Sequence, residues 1–207
     1  MADSRDAILA RIRTALADTP AGPPVPREYH RQRDLGRDLV DFAAERIAHY
    51  RATVHRTADA DLAHRIGEIL RARQANRVVV PADLPESWRP ADISWLVDRA
   101  DAPLTTEVLD GSDGVLTGCA TVIAETGTIV LDAGPAQGRR AITLLPDYHL
   151  CVVRAEQIVG TVPEAIAALT PTRPITFISG PSATSDIEFN RVEGVHGPRT
   201  LDVLIVA

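Results

Sequence analysis

The chain has 207 residues, the usual length of one domain, and 45% of them are apolar, enough to bury a sizeable core. Aromatic residues make up only 4%, so Val, Ile, Leu and Ala must fill that core, and the formal charge of −6 argues against a nucleic-acid binder, which would carry a basic stripe. Two cysteines without a CxxC pair disfavour a disulfide framework, a tetrahedral zinc site and a four-thiolate iron–sulfur cluster.

Cys119 and Cys151 therefore read as reduced thiols in a core. No apolar run approaches the roughly 18 residues that span a bilayer. The start of the chain is charged from Asp3 to Arg13 and has no apolar leader, so a cytoplasmic protein is expected.

In chain order, residues 3–17 form a predicted amphipathic helix, with Ile8, Leu9, Ile12 and Leu16 at helical spacing and Ser4 as its N-cap. Pro20, Pro23, Pro24 and Pro26 then make residues 18–30 a loop or arm. A second helix is predicted over 36–50, with Leu39, Phe42, Ile47 and Tyr50 inward. The organisation is thus an arm over 1–35 and a domain over 36–207.

From residue 52 the pattern alternates. A strand is expected over 53–56, then a helix from Thr57 to about Arg73 that buries Leu62, Ile66, Ile69 and Leu70 and ends near Asn76. Another strand follows over 77–80. Short strands are expected over 115–117, 120–124 and 128–131, with a tight turn at Glu125-Thr126-Gly127. Further strands are predicted over 142–145, 150–153, 175–178 and 203–206, and a helix over 162–169. The β-α-β rhythm predicts an α/β fold, a mostly parallel sheet flanked by helices, behind a helical N-terminal arm.

Three segments are richer in Gly, hydroxyl and charged residues than connections require. They are Thr117–Ala120 running on to Ile123-Ala124-Glu125-Thr126-Gly127-Thr128, then Ser179-Gly180-Pro181-Ser182 through Asp186 and Glu188, then Gly194-Val195-His196-Gly197-Pro198-Arg199. In the second, Gly180 permits a tight turn, and Ser185 with Glu188 has the spacing of a capping box. A strand, Gly turn and helix would place backbone N–H groups at the carboxyl edge of a sheet. Asp186 and Glu188 would themselves satisfy the helix dipole and repel phosphate, so a hydroxyl-bearing or carboxylate ligand fits better than a nucleotide. A well-capped helix alone also accounts for the segment.

His196, between two glycines, has the ordinary pKa to take a proton from a hydroxyl; bracing a turn is its other reading. Glu125 is a possible nucleophile or base, or simply a turn residue. Candidate catalytic residues are Glu125, His196 and Asp186. Candidate substrate-binding residues are Thr126, Gly127, Gly180, Ser182, Glu188, Gly197 and Arg199. Arg139, Arg140, Arg191 and Arg199 are either carboxylate binders or surface charges. His30, His49, His55, His64 and His149 lack metal-binding spacing, and neither GxGxxG nor GxxxxGK[ST] occurs, so no metal or nucleotide cofactor is expected in this chain.

Taken together, Ile123–Leu131, Leu145-Pro146-Asp147, Ser179-Gly180-Pro181-Ser182, Asp186-Ile187-Glu188 and Gly194-Val195-His196-Gly197-Pro198 resemble the LUD family and, within it, the lactate-utilisation C branch. The resemblance spans about residues 115–206. It implies a fold like the NagB/RpiA/CoA-transferase group. It also implies a subunit of an L-lactate-to-pyruvate oxidising system, with iron–sulfur clusters in partner proteins and none here. Ala183 stands where many relatives carry arginine, which weakens the idea of a carboxylate-binding arginine there. A stand-alone CoA-transferase or sugar-phosphate isomerase using Glu125 and a non-catalytic ligand sensor or scaffold are the other readings.

Overall fold

The computed structural model describes residues 4–18, 22–184, 192–193 and 197–207. They fall into two compact units, Met1–His30 and Arg31–Ala207. In the first, helix α1 (Ser4–Leu16) carries Asp6 in its first turn and Arg13 in its last, which complements the helix dipole. Its apolar stripe of Ile8, Ile12 and Leu16 is exposed.

The second unit opens with helix α2 (Leu39–His49), whose first turn is capped by the Asp38 carboxylate accepting from the Asp41 N–H at 2.8 Å. Strand β1 (Thr53–Thr57) follows. The next helix was expected from Thr57, but Thr57 stays in the strand, a 3-10 turn (Asp59–Asp61) intervenes, and α3 is Leu62–Ala72. Its end differs too. Gln74, at φ +58°, takes the left-handed cap, while the Asn76 N–H donates to Asp113. Strands β2 (Arg77–Pro81) and β3 (Ser94–Asp98), helix α4 (Thr106–Asp110) and strand β4 (Gly114–Thr117) come next. The hairpin of β5 (Thr121–Ile123) and β6 (Thr128–Leu131) turns at residues 124–127.

The strand expected over 142–145 is instead a 3-10 turn (Arg140–Thr143). The Thr143 hydroxyl donates to the Arg140 carbonyl at 3.1 Å, giving the backbone a local partner in place of a ladder, and Ile142 plugs the core. Then come β7 (Tyr148–Arg154), β8 (Ile158–Val159), helix α5 (Val162–Ala168), β9 (Thr176–Ile178), a short antiparallel pair β10 (Ala183–Thr184) with β11 (Val192–Glu193), and β12 (Thr200–Val206).

Six strands form one sheet in the order β1-β12-β7-β4-β2-β3, and every neighbouring pair in it is parallel. A second, four-stranded sheet has the order β8-β5-β6-β9. The period-two alternation of each central strand decides which layer it meets. Leu150, Val152, Leu204 and Val206 face Leu62, Ile66, Ile69 and Leu70 of α3. Cys151, Val153, Val203 and Ile205 face the opposite way, onto Val122, Ile129 and Leu131 of the second sheet and Phe42 and Ile47 of α2. Helix α5 covers the far side of the second sheet through Ala165, against Ile123 and Val130. Burial on both faces explains why β7 and β12 are nearly continuous apolar runs.

One polar knot interrupts this packing. The buried carboxylate of Asp202 on β12 accepts both prongs of Arg73, at 2.9 and 2.7 Å, and the hydroxyl of Tyr148 on β7 at 2.9 Å. Arg73 also donates to Thr53 of β1 at 3.1 Å. Burial, and then the Asp202 charge, push the Tyr148 phenol above its ordinary pKa, so it remains a donor. Removing Asp202 leaves a guanidinium and a phenol without their acceptor. Asp202→Ala is expected to lower the unfolding free energy by about 3 kcal/mol. Asp92→Ala, which removes the exposed partner of Arg71, should change it by less than about 1 kcal/mol. Urea unfolding of both variants checks the contrast.

Candidate functional site

Three of the candidate substrate-binding residues border one cavity of about 260 Å³. Gly180 and Ser182 enter from the loop after β9, and Gly197 from the loop before β12. Thr143 and Leu144, at the end of the 3-10 turn, and His149, at the start of β7, close it. Gly180 has φ +87°, and a Cβ there would sit 2.5 Å from the Tyr50 carbonyl oxygen, so glycine is required for the chain to pass the end of α2. The Ser182 N–H donates to the Pro198 carbonyl at 2.8 Å, joining the two loops.

The cavity lies at the amino edges of β7 and β12. The expectation that Ser179–Ser182 stands at the carboxyl edge of the parallel sheet is thereby corrected: the strand it follows, β9, pairs antiparallel with β6 in the second sheet. At the carboxyl edges lies a different cavity, of about 300 Å³, bordered by Cys119, Gln137, Gln157 and an Asp132–Arg173 pair at 3.2 Å. Gln137 there exchanges two hydrogen bonds with Asp132, accepting from its N–H at 2.7 Å and donating to its carboxylate at 3.0 Å.

Glu125 is not among the residues that border the first cavity. Its carboxylate accepts from the Val162 N–H at the start of α5 at 3.1 Å and from Arg33 at 3.3 Å. Gly127, at φ +63°, lets the hairpin tip press against the backbone of Arg46, which a Cβ would approach to 2.6 Å. Thr126 reaches the cavity indirectly, through a hydroxyl chain: Thr126 to Thr128 at 2.8 Å, then Thr128 to Ser179 at 2.9 Å. Arg199 is exposed and pairs with Asp147 at 2.6 Å. Arg139 grips Asp98 with two bonds, at 2.9 and 3.0 Å. Asp186, Glu188, Arg191 and His196, with the helix start expected at Ser185, lie outside the described residues.

His149 is the residue that motif reading passed over. It is 1% exposed, borders the cavity, and has Nε2 2.8 Å from the Thr117 hydroxyl of β4. Burial pushes its pKa down to about 4, so the ring is neutral at pH 7. The sequence signal was slight, a lone histidine inside an apolar strand. Among the described residues, no group of three or more His, Cys, Asp or Glu side chains is placed to hold a metal. No described helix is long and apolar enough to cross a membrane.

The LUD-domain family model matches residues 41–206. The chain belongs to the LUD-domain family. This LUD domain, with its preceding helix, is 43% identical to a "Lactate utilization protein C" of Deinococcus radiodurans, over 99% of this chain and 96% of that one. A protein of the same name from Anoxybacillus flavithermus is 26% identical, over 94% and 92% of the two chains. A crystal structure of a DUF162-family protein from Deinococcus radiodurans superposes with a TM-score of 0.70 at 42% identity, covering 82% of this chain and 96% of that one.

The buried imidazole of this LUD domain gives a pH signature. A histidine held neutral has a folded pKa below its unfolded value near 6.5, so the stability it confers is complete above pH 6.5 and is lost as pH falls toward about 4. His149→Gln keeps a hydrogen-bonding group but cannot titrate. Unfolding free energies measured between pH 7.5 and 4 should fall more steeply for the native chain, by about 2–3 kcal/mol, than for the variant.

Proposed function

We propose that this chain supports lactate utilisation as a subunit of an iron–sulfur-dependent system that oxidises L-lactate to pyruvate. The observation that carries the reading is the 43% identity, over nearly the whole of both chains, to a protein named for lactate utilisation. The hydroxyl- and imidazole-bordered cavity supports it, because its size and the hydroxyls of its described lining fit a small organic acid.

Converting lactate to pyruvate removes two electrons and two protons, and redox chemistry of this kind is carried by cofactors. Both cysteines of this chain are buried and free, and a common cluster takes four thiolates. Clusters would therefore sit in partner proteins, while this subunit contributes substrate orientation and proton handling in the cytosol. His196, which precedes β12 in the chain, is proposed as a proton acceptor with Asp186. Gly180, Ser182 and Gly197 are proposed as substrate-contacting positions. The alternative with Glu125 as a nucleophile has less support, because both of its carboxylate oxygens are engaged, one by an N–H and one by an arginine.

The test is affinity purification of the native protein with an iron assay, followed by dye-linked L-lactate oxidation with and without the co-purifying proteins. The isolated chain should be colourless and inactive, and activity should appear with iron-rich partners. In the assembled system His196→Ala should lower turnover by about 100-fold or more with an unchanged thermal midpoint. Robust turnover by the chain alone overturns the reading.

A further inference from the structure

We propose that the His149 imidazole, braced by Thr117, is the recognition floor of a binding site for a short 2-hydroxy or 2-oxo monocarboxylate. The choice of acid rests on the function proposed above; the site itself rests on the following geometry.

His149 is an internal residue of a central strand, almost wholly buried, and its ring borders the cavity. Thr117 comes from the adjacent parallel strand, two residues along from His149's own partner Val115, so the register fixes the pair. With Nε2 engaged by that hydroxyl at 2.8 Å, a ligand oxygen would meet the other ring nitrogen. A neutral imidazole has one donor and one acceptor, and the Thr117 hydroxyl rotates to suit either tautomer. The same pair can therefore accept from a C2 hydroxyl or donate to a C2 ketone. That ambivalence matches both members of a 2-hydroxy/2-oxo couple.

The rest of the lining narrows the ligand. Thr176, Ser179 and Ser182 bring hydroxyls suited to a carboxylate, and Leu144, Ile178 and Leu201 offer apolar contact for a short alkyl group. Among the described residues that border the cavity, none is Lys, Arg, Asp or Glu. The described lining offers a phosphate dianion no arginine or lysine to offset its charge, whereas a monocarboxylate can be held by hydroxyls alone. A volume of about 260 Å³ also suits a molecule of a few heavy atoms better than a nucleotide.

The experiment is ligand-observed NMR titration of the full chain, without partners, using L-lactate, pyruvate, propionate and ribose 5-phosphate. L-lactate and pyruvate should bind, propionate, which lacks the C2 oxygen, should bind at least tenfold more weakly, and ribose 5-phosphate should not compete. His149→Ala should weaken lactate binding at least tenfold and His149→Gln should recover part of the loss. Should His149→Ala fail to fold, Thr176→Val on the cavity wall supplies the second variant, with an expected loss of at least threefold. Equal binding of propionate, competition by ribose 5-phosphate, or unchanged affinity in folded His149→Ala overturns the proposal. If the assembled system oxidises lactate while the isolated chain binds neither acid, this inference fails and the functional reading stands. If binding depends on His149 but no assembly oxidises lactate, the site stands and the functional reading fails.

Discussion

The carboxylate of Asp202 ties together four elements that enter the fold at widely separated points of the chain. It sits on β12, between β1 and β7, and it is buried where an unpaired charge would be costly. Its acceptor capacity is met by Arg73, from the end of α3, and by Tyr148, at the start of β7. Arg73 in turn reaches Thr53 of β1. Hydrophobic burial drives the layers together without direction, whereas this knot fixes where the amino edges of three strands stand relative to one another.

That same edge carries the candidate site. The loop through Gly197 and Pro198 leads directly into β12, and the 3-10 turn ending at Thr143 leads toward β7. Asp202 looks toward the end of α3, while its neighbour Leu201, on the opposite face, borders the cavity. Strand alternation thus lets one short stretch serve as structural anchor on one face and as pocket wall on the other. The second sheet supplies the remaining wall through β9, and the Thr126–Thr128–Ser179 hydroxyls link that wall to the hairpin turn of the family motif. The turn's glutamate holds the start of α5 and the Arg33 segment. One continuous stretch of sequence is here divided between bracing and the cavity.

Much of the architecture was legible because its signals are local. The apolar spacing in α2 and α3 and the β-branched runs of β2, β7 and β12 marked the layers, and Gly180 and Gly197 marked loops that do meet. The misses have definite causes. Strand β3 is an edge strand whose sequence, Ser94-Trp95-Leu96-Val97-Asp98, shows no clean alternation, and α4 is five residues long, too short for a periodic signal. Residues 142–145 look like a strand in one dimension, but a threonine hydroxyl satisfied the backbone locally. The edge at which residues 179–182 lie was wrong because periodicity does not say which sheet a strand joins. His149 was invisible for a related reason: only the β4–β7 register sets Thr117 beside it.

The order of strands also governs how the molecule comes into being. β12, contributed by residues 200–206, fills the gap between β7 and β1, which lies some 150 residues earlier in the chain. Contacts of such sequence separation form late and slow the search for the native state. A nascent chain emerging from the ribosome can assemble α3 with β2, β3 and β4, yet it holds two parallel strands with facing unpaired edges until residue 206 is free. Those edges are templates for intermolecular pairing. A stop codon or protease cut before residue 200 would leave this gap permanently open, turning a product that retains every other strand of the sheet into a substrate for aggregation and for the cell's quality-control machinery.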